Sequence, residues 1–268
     1  MQPKKRSNLR IFLGRSYYTY KRYISWYFSK TQFAIEKDNI EKYTQLIFEH
    51  RTPLFRKLRN VDMWLQYNKV KNLKIAVERM NDIVIHPGET FSYWKTIGKP
   101  RKKDGFVEGM VLFYGNFKPG IGGGICQLSN LIYWMTLHTP LTVVERWRHS
   151  YDVFPDADRT QPFGSGATCS YNYIDLQIKN ETDKPYFLEL YLTEDHLVGA
   201  WRSDRAEAYS YEVYEKKHCI RQEFWGGYTR HNKLYRRKYN QQGIQVADEF
   251  ITENHAIMMY EPLLAQNK

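Results

Sequence analysis

Cysteine is scarce in this chain: 268 residues contain three, Cys126, Cys169 and Cys219, widely spaced and without a CxxC pair. A disulfide scaffold and a four-cysteine zinc site are thereby excluded, and each thiol has to be explained singly. There is no HExxH, and no His, Cys or Asp cluster has ligand spacing, so neither a metal nor another cofactor is expected. No apolar run approaches the ~18 residues of a membrane span. A secretory signal needs an apolar run of roughly 7–15 residues, and the basic start of this chain offers only Ile11, Phe12 and Leu13. The expected location is therefore cytoplasmic, at most peripheral at the inner face of a membrane. Acid is absent from the first thirty residues, which carry Lys4, Lys5, Arg6, Arg10, Arg15, Lys21, Arg22 and Lys30 and account for most of the +11 net charge. A solvated basic helix and an arm lying on an anionic membrane surface through its interleaved tyrosines are both open readings of that stretch. Nucleic acid is a weak candidate partner, because no helix-turn-helix, zinc-finger or RRM signature accompanies the charge.

What is present is a globular composition, 42% hydrophobic and 16% aromatic with 22 tyrosines, enough for one large domain or two modest ones. Residues 9–80 read mainly as helix, with Val70, Leu73, Ala76, Val77 and Met80 near helical spacing. Ile83 to His86 reads as a short strand stopped by Pro87-Gly88. Residues 173–179, 186–192 and 196–201 alternate as an antiparallel three-stranded meander, and strand-like pieces recur at 209–214, 233–239 and 244–246. The expected fold class is α+β: a basic, mainly helical N-terminal arm (1–60), an antiparallel β-rich core with one buried helix after a Gly-rich loop (61–204), and a basic aromatic β-rich extension (205–268).

The segment that carries chemistry is Pro119-Gly120-Ile121-Gly122-Gly123-Gly124-Ile125-Cys126-Gln127-Leu128-Ser129-Asn130. Consecutive glycines free the backbone for positive φ and close approach. Leu128, Leu131, Ile132 and Met135 then fit the i, i+3, i+4, i+7 pattern of a buried helix, placing Cys126 in its first turn. Amides and dipole at a helix start favour an anion, so the thiol is expected to shift toward thiolate, beside donors suited to an oxyanion. The alternative is an ordinary buried thiol whose glycines only permit tight packing. A nucleophile needs a base and the base an orienting acceptor. His149, beyond the strand that returns from the helix, is the favoured base; His86 and His138 suit core or capping roles. Asp175 is either the orienter or a solvated carboxylate. By the same triad logic the Gly122, Gly123 and Gly124 backbone with Gln127 supplies oxyanion donors.

These residues, together with Pro87-Gly88-Glu89-Thr90-Phe91-Ser92 upstream, Glu145-Arg146 with His149-Ser150, Ala167-Thr168 and Asp175-Leu176-Gln177-Ile178-Lys179-Asn180, resemble the VanW family, named for an accessory protein of vancomycin B-type resistance clusters. The resemblance runs in order over about residues 60–200. Larger exported proteins with a similar domain are regarded as cysteine L,D-transpeptidases that crosslink peptidoglycan. Carried over, the resemblance implies Cys126 as nucleophile, His149 as its base, Ser129 and Glu89 shaping the site, and a peptidoglycan stem peptide or cell-wall precursor as partner. A non-catalytic accessory protein that binds a membrane surface or precursor is the other reading.

Overall fold

The computed structural model describes residues 7–55, 62–113, 115–155 and 161–262; Lys4, Lys5 and Arg6 of the basic start lie outside the described residues. In chain order the elements are α1 (Asn8–Phe28), β1 (Gln45–Pro53), α2 (Met63–Met80), β2 (Ile83–Ile85), β3 (Thr90–Ser92) and α3 (Tyr93–Ile97). The β4 (Glu108–Phe113) and β5 (Asn116–Ile121) hairpin leads into α4 (Cys126–Thr136), β6 (Thr142–Glu145), β7 (Tyr151–Asp152) and β8 (Gln177–Lys179). Then come β9 (Tyr186–Leu192), β10 (His196–Ser203) and three long strands, β11 (Tyr209–Gln222), β12 (Tyr228–Asn240) and β13 (Gln245–Met258). The fold is α+β with mostly antiparallel sheets, ordered β1-β10-β9-β2, β3-β8-β6 and β11-β12-β13-β7 beside the β4-β5 hairpin. Among the described residues no helix is long and apolar enough to cross a membrane.

The core forms around α4. Leu128, Leu131, Ile132, Tyr133 and Met135 are buried, and the helix is covered almost all round, as a helix in the centre of a domain must be. It lies on β10, where a Cβ at Gly199 would stand 2.9 Å from Met135 Cε and 3.1 Å from Leu131 Cδ2. Only glycine lets the sheet approach that closely. Trp201 on the same strand is fully buried and donates its indole N–H to Thr136 Oγ1 at 3.2 Å. The Leu73, Ala76, Val77 and Met80 face of α2 closes another side.

One expectation about elements is refined and one is corrected. Residues 9–80 are mainly helical, in α1 and α2, but β1 lies between the two helices and pairs antiparallel with β10 from Gln45↔Ser203 to Pro53↔His196. The polar-apolar mixture of β1 hides its period: it is a sheet edge, with both faces partly wet. The meander also does not form as expected. β9 and β10 pair, but β8 pairs with β3 and β6 in another sheet, and its strand begins only at Gln177. The turn at 180–185 redirects the chain instead of folding it back: Asn180 Nδ2 donates to Ile85 O at 2.8 Å and Lys184 O at 2.7 Å, tying the link to β2.

The C-terminal strands are longer than the alternating pieces suggested. β12 is paired on both sides, with β11 and β13, and β13 meets β7 in parallel at Ile257↔Tyr151 and Met258↔Asp152. The extension is thereby stitched to the segment that follows β6. Asn232 Nδ2 donates to Phe163 O at 2.6 Å, and Arg236 Nη1 donates to Thr139 O at 2.8 Å and Leu137 O at 3.4 Å. Leu137 is the C-cap of α4 and Thr139 lies just beyond it, where a cation is favoured by the helix dipole.

Candidate functional site

Cys126 opens α4 as the sequence places it. The three glycines before it are packed tightly. Gly122 and Gly124 have φ of 74° and 90°, values at which any other side chain is strained. A Cβ at Gly123 would fall 2.2 Å from the Gly109 backbone. Asn72 of α2 locks the loop: its Nδ2 donates to Gly123 O at 2.9 Å and Val107 O at 3.1 Å, while its Oδ1 accepts from Val107 N at 2.9 Å. The Gly122 amide donates to Val107 O and the Gly123 amide to Gly120 O, at 3.0 and 2.9 Å. Two of the three glycine amides assigned to an oxyanion are therefore already engaged. The amides from Gly124 to Cys126, at the first turn, have no backbone partner among the described residues.

Cys126 is half-buried, and its thiol donates to Cys169 O at 3.6 Å. Burial pushes its pKa up, opposed by backbone hydrogen bonding at Cys169 and Cys126. The direction is opposite to the expected shift toward thiolate: loss of water outweighs those backbone hydrogen bonds, since a charged sulfur is disfavoured in a poorly solvated site. Ser129 is fully buried, and its hydroxyl donates to Cys126 O at 3.0 Å and Ala167 O at 2.8 Å, fixing the first turn of α4 against the 167–169 segment. Tyr93 donates its hydroxyl to Ile125 O at 2.8 Å from the other side.

Asp175 lies in the same neighbourhood and is fully buried, which overturns the solvated alternative. Its Oδ2 accepts from Ser92 Oγ at 2.6 Å and Gln177 Nε2 at 3.2 Å, and its Oδ1 from the amides of Trp94 and Leu176 at 3.0 Å each. Burial raises its pKa to about 6, with the Ser92 hydrogen bond the largest opposing influence. These bonds make Asp175 a clamp joining β3, α3 and β8. None of them goes to a histidine.

His149 is half-buried, and burial, with the neighbouring Arg148 cation, lowers its pKa. That keeps the ring neutral near pH 7, as a base requires. Yet among the described residues no hydrogen bond or ion pair joins His149 to Cys126 or to Asp175. The intended return of the strand is taken up otherwise: Glu145 at the end of β6 pairs with Arg22 of α1 at 2.5 Å and accepts the Asp175 amide at 3.2 Å. Arg146 binds Gly166 O at 2.9 Å and Gly164 O, and reaches Asn254 of β13 at 3.3 Å. The segment carrying His149 is thus held toward the C-terminal sheet.

The remaining assigned residues have local partners. Gln127 donates to Thr52 Oγ1 and Pro53 O, both at 2.9 Å, anchoring α4 to the end of β1. Glu89 accepts the His86 amide at 2.9 Å and closes the Pro87-Gly88 turn. His138 stacks on Phe48 with ring centres 4.0 Å apart and is pushed down to about 4 by burial, the satisfied core histidine that its position suggested. Asn72, Tyr93 and the Cys169 carbonyl were not singled out from the sequence, and Ser92 stood out only as the end of the Pro87–Ser92 motif, without a role. Asn72 left one signal: a lone amide beside Leu73 on the apolar side of a helix needs a partner.

The family model described as VanW like protein matches residues 68–202, just the stretch that contains the glycine loop, Cys126, His149 and Asp175. The chain belongs to the VanW family. Among VanW relatives, the Vancomycin B-type resistance protein VanW of Enterococcus faecalis is 36% identical over 168 residues, 63% of this chain and 61% of that protein. The uncharacterized protein YoaR of Bacillus subtilis is 26% identical over 117 residues, 44% of this chain and 37% of that protein. The aligned regions therefore span about three fifths of the first relative and just over a third of the second. No solved structure matches the chain. The VanW match ends before β11, so the C-terminal sheet lies beyond it.

Proposed function

We propose that this VanW-family protein serves glycopeptide resistance as a Cys126-dependent acyl transferase of the L,D-transpeptidase type, acting on peptidoglycan stem peptides or their precursors. The observation that carries the reading is the first turn of α4: the half-buried Cys126 beside the Gly124–Cys126 amides, which have no backbone partner among the described residues. The thiolate attacks a stem-peptide carbonyl, the amides hold the oxyanion, and the C–N bond to D-Ala breaks as the thiol proton passes to the leaving amine. An acceptor amine then attacks the thioester, loses its proton and regenerates the thiol. Because His149 is not bonded to Cys126, the proton transfer needs substrate or a rearrangement of the 146–150 segment to bring a base within reach.

A second reading, a non-catalytic accessory protein that binds a cell-wall precursor, is favoured by one observation: burial raises the Cys126 thiol pKa. The test is D-Ala release from a tetrapeptide stem donor, with iodoacetamide labelling of the three thiols across pH. The transferase reading expects release that is lost in Cys126→Ser and depressed in His149→Ala, and labelling of Cys126 that accelerates when donor is bound. Release unchanged in Cys126→Ser would overturn it; precursor binding that survives Cys126→Ala without any release would establish the accessory reading.

A further inference from the structure

We infer that α1 is an interfacial helix that seats the protein on an anionic lipid surface. This stands on the N-terminal helix alone and does not depend on the thiol chemistry. One face of α1 is committed to the protein: Arg22 pairs with Glu145 and donates to Tyr173 O at 3.2 Å, the Tyr23 and Tyr171 hydroxyls meet at 2.8 Å, and Trp26 is buried. The opposite face carries Leu9, Leu13, Tyr17, Tyr20, Ile24 and Phe28, recurring at helical spacing and all exposed, with Leu13 57%, Ile24 60% and Phe28 83% open to solvent. An aliphatic and aromatic stripe along a helix of 21 residues, about 30 Å at ~1.5 Å per residue, is far larger than scattered surface hydrophobics.

The occupant is decided by charge. Arg10, Arg15 and Lys21 are exposed on this helix, and the first thirty residues hold eight Lys and Arg with no Asp or Glu. A uniformly cationic surface repels a second copy of itself and attracts lipid phosphates, while the stripe enters the headgroup boundary and tyrosines sit at its level. The inward contacts of α1 at Glu145 and residues 171–173 then hold the Asp175 neighbourhood next to the membrane.

The test is co-sedimentation of the full chain with vesicles of phosphatidylcholine alone and of an equal mixture with phosphatidylglycerol. Wild type is expected to bind the mixture, to leave phosphatidylcholine in solution, and to release as salt is raised. Leu13→Asn with Ile24→Asn is expected to weaken binding about tenfold or more, since each buried CH₂ contributes about 0.8 kcal/mol. Arg10→Glu with Lys21→Glu, which leaves the stripe intact, is expected to weaken it too, and circular dichroism confirms that both variants fold. Wild type that ignores both vesicles, equal binding by the variants, or a solution dimer that Leu13→Asn with Ile24→Asn dissociates would each overturn the inference.

Discussion

The core around α4 and the C-terminal sheet are held by different forces. In the core, aliphatic and aromatic side chains are sealed from water: Leu128, Leu131, Ile132, Met135, Leu188 and Trp201 have no exposed surface, and polar groups enter only with partners, as Asn72 and Asp175 do. The sheet of β11, β12 and β13 has few sealed side chains. It is laced by cross-strand pairs: Lys216 with Asp248, Lys233 with Glu253, Arg236 with Glu249 and Arg237 with Glu212. Basic side chains also lie on rings, Arg236 over Tyr211, Arg237 over Tyr214 and Lys238 over Tyr209. Burial is cooperative and insensitive to salt, whereas exposed pairs are individually weak and screened. The family match covers the first kind of region and stops before the second, so the part with the candidate chemistry is also the part built for rigidity.

The sharpest test of that contrast is a cavity. Leu131→Ala, under the helix that presents Cys126, is expected to cost about 2–5 kcal/mol in urea unfolding, with no dependence on ionic strength. A cost below about 1 kcal/mol would mean that α4 is not the keystone of the core.

Next comes the buried carboxylate. Asp175 has its folded pKa raised to about 6 from 3.8, so its proton is held more tightly in the native state. Its contribution is fully present below the unfolded value and is lost as pH rises through about 6, an effect on the order of 3 kcal/mol. Asp175→Asn is expected to flatten the stability profile between about pH 4 and 6. A wild-type profile already flat there would show that the hydrogen bonds from Ser92, Trp94, Leu176 and Gln177 outweigh the loss of water.

The smallest effects lie in the extension, and one of them joins the two regions. Arg236→Ala removes the ion pair to Glu249 together with the bonds to the Leu137 and Thr139 carbonyls that follow α4, and about 1–2 kcal/mol is expected, mostly surviving high salt because these contacts are partly buried. Lys216→Gln, which loses the pair to Asp248 and the contacts over the Tyr214 and Tyr235 rings, is expected to shift stability by less than about 1 kcal/mol. If the two substitutions behave alike, the sheet is docked on the core without being coupled to α4.

Local pattern made several features legible. The period of Leu128, Leu131, Ile132 and Met135 revealed α4, the apolar run at Ile83–Ile85 revealed β2, and the alternation of β9 and β10 revealed their pairing. The glycine loop and Cys126 stood out because three glycines in a row serve positive φ and close approach, and both are found: positive φ at Gly122 and Gly124, close approach at Gly109 and Lys69. Less was legible where partners are distant. β1 looked like part of a helical arm because an edge strand needs no clean alternation. Asp175 passed for either a triad member or a solvated group, since nothing near it in sequence announces Ser92 and the Trp94 amide.

The sequence by itself determined the family, the α+β class, the helix that Cys126 opens and the basic charge of the N-terminal stretch, because periodicity, glycine placement and charge are properties of neighbouring residues. Only the tertiary structure decided that Gln127 is tied to β1, that Asp175 clamps three elements, that the 146–152 segment turns toward the C-terminal sheet and leaves His149 unbonded to the thiol, and that burial raises the Cys126 pKa. Each of those depends on which groups from remote parts of the chain displace water around a side chain, a quantity that no local pattern encodes.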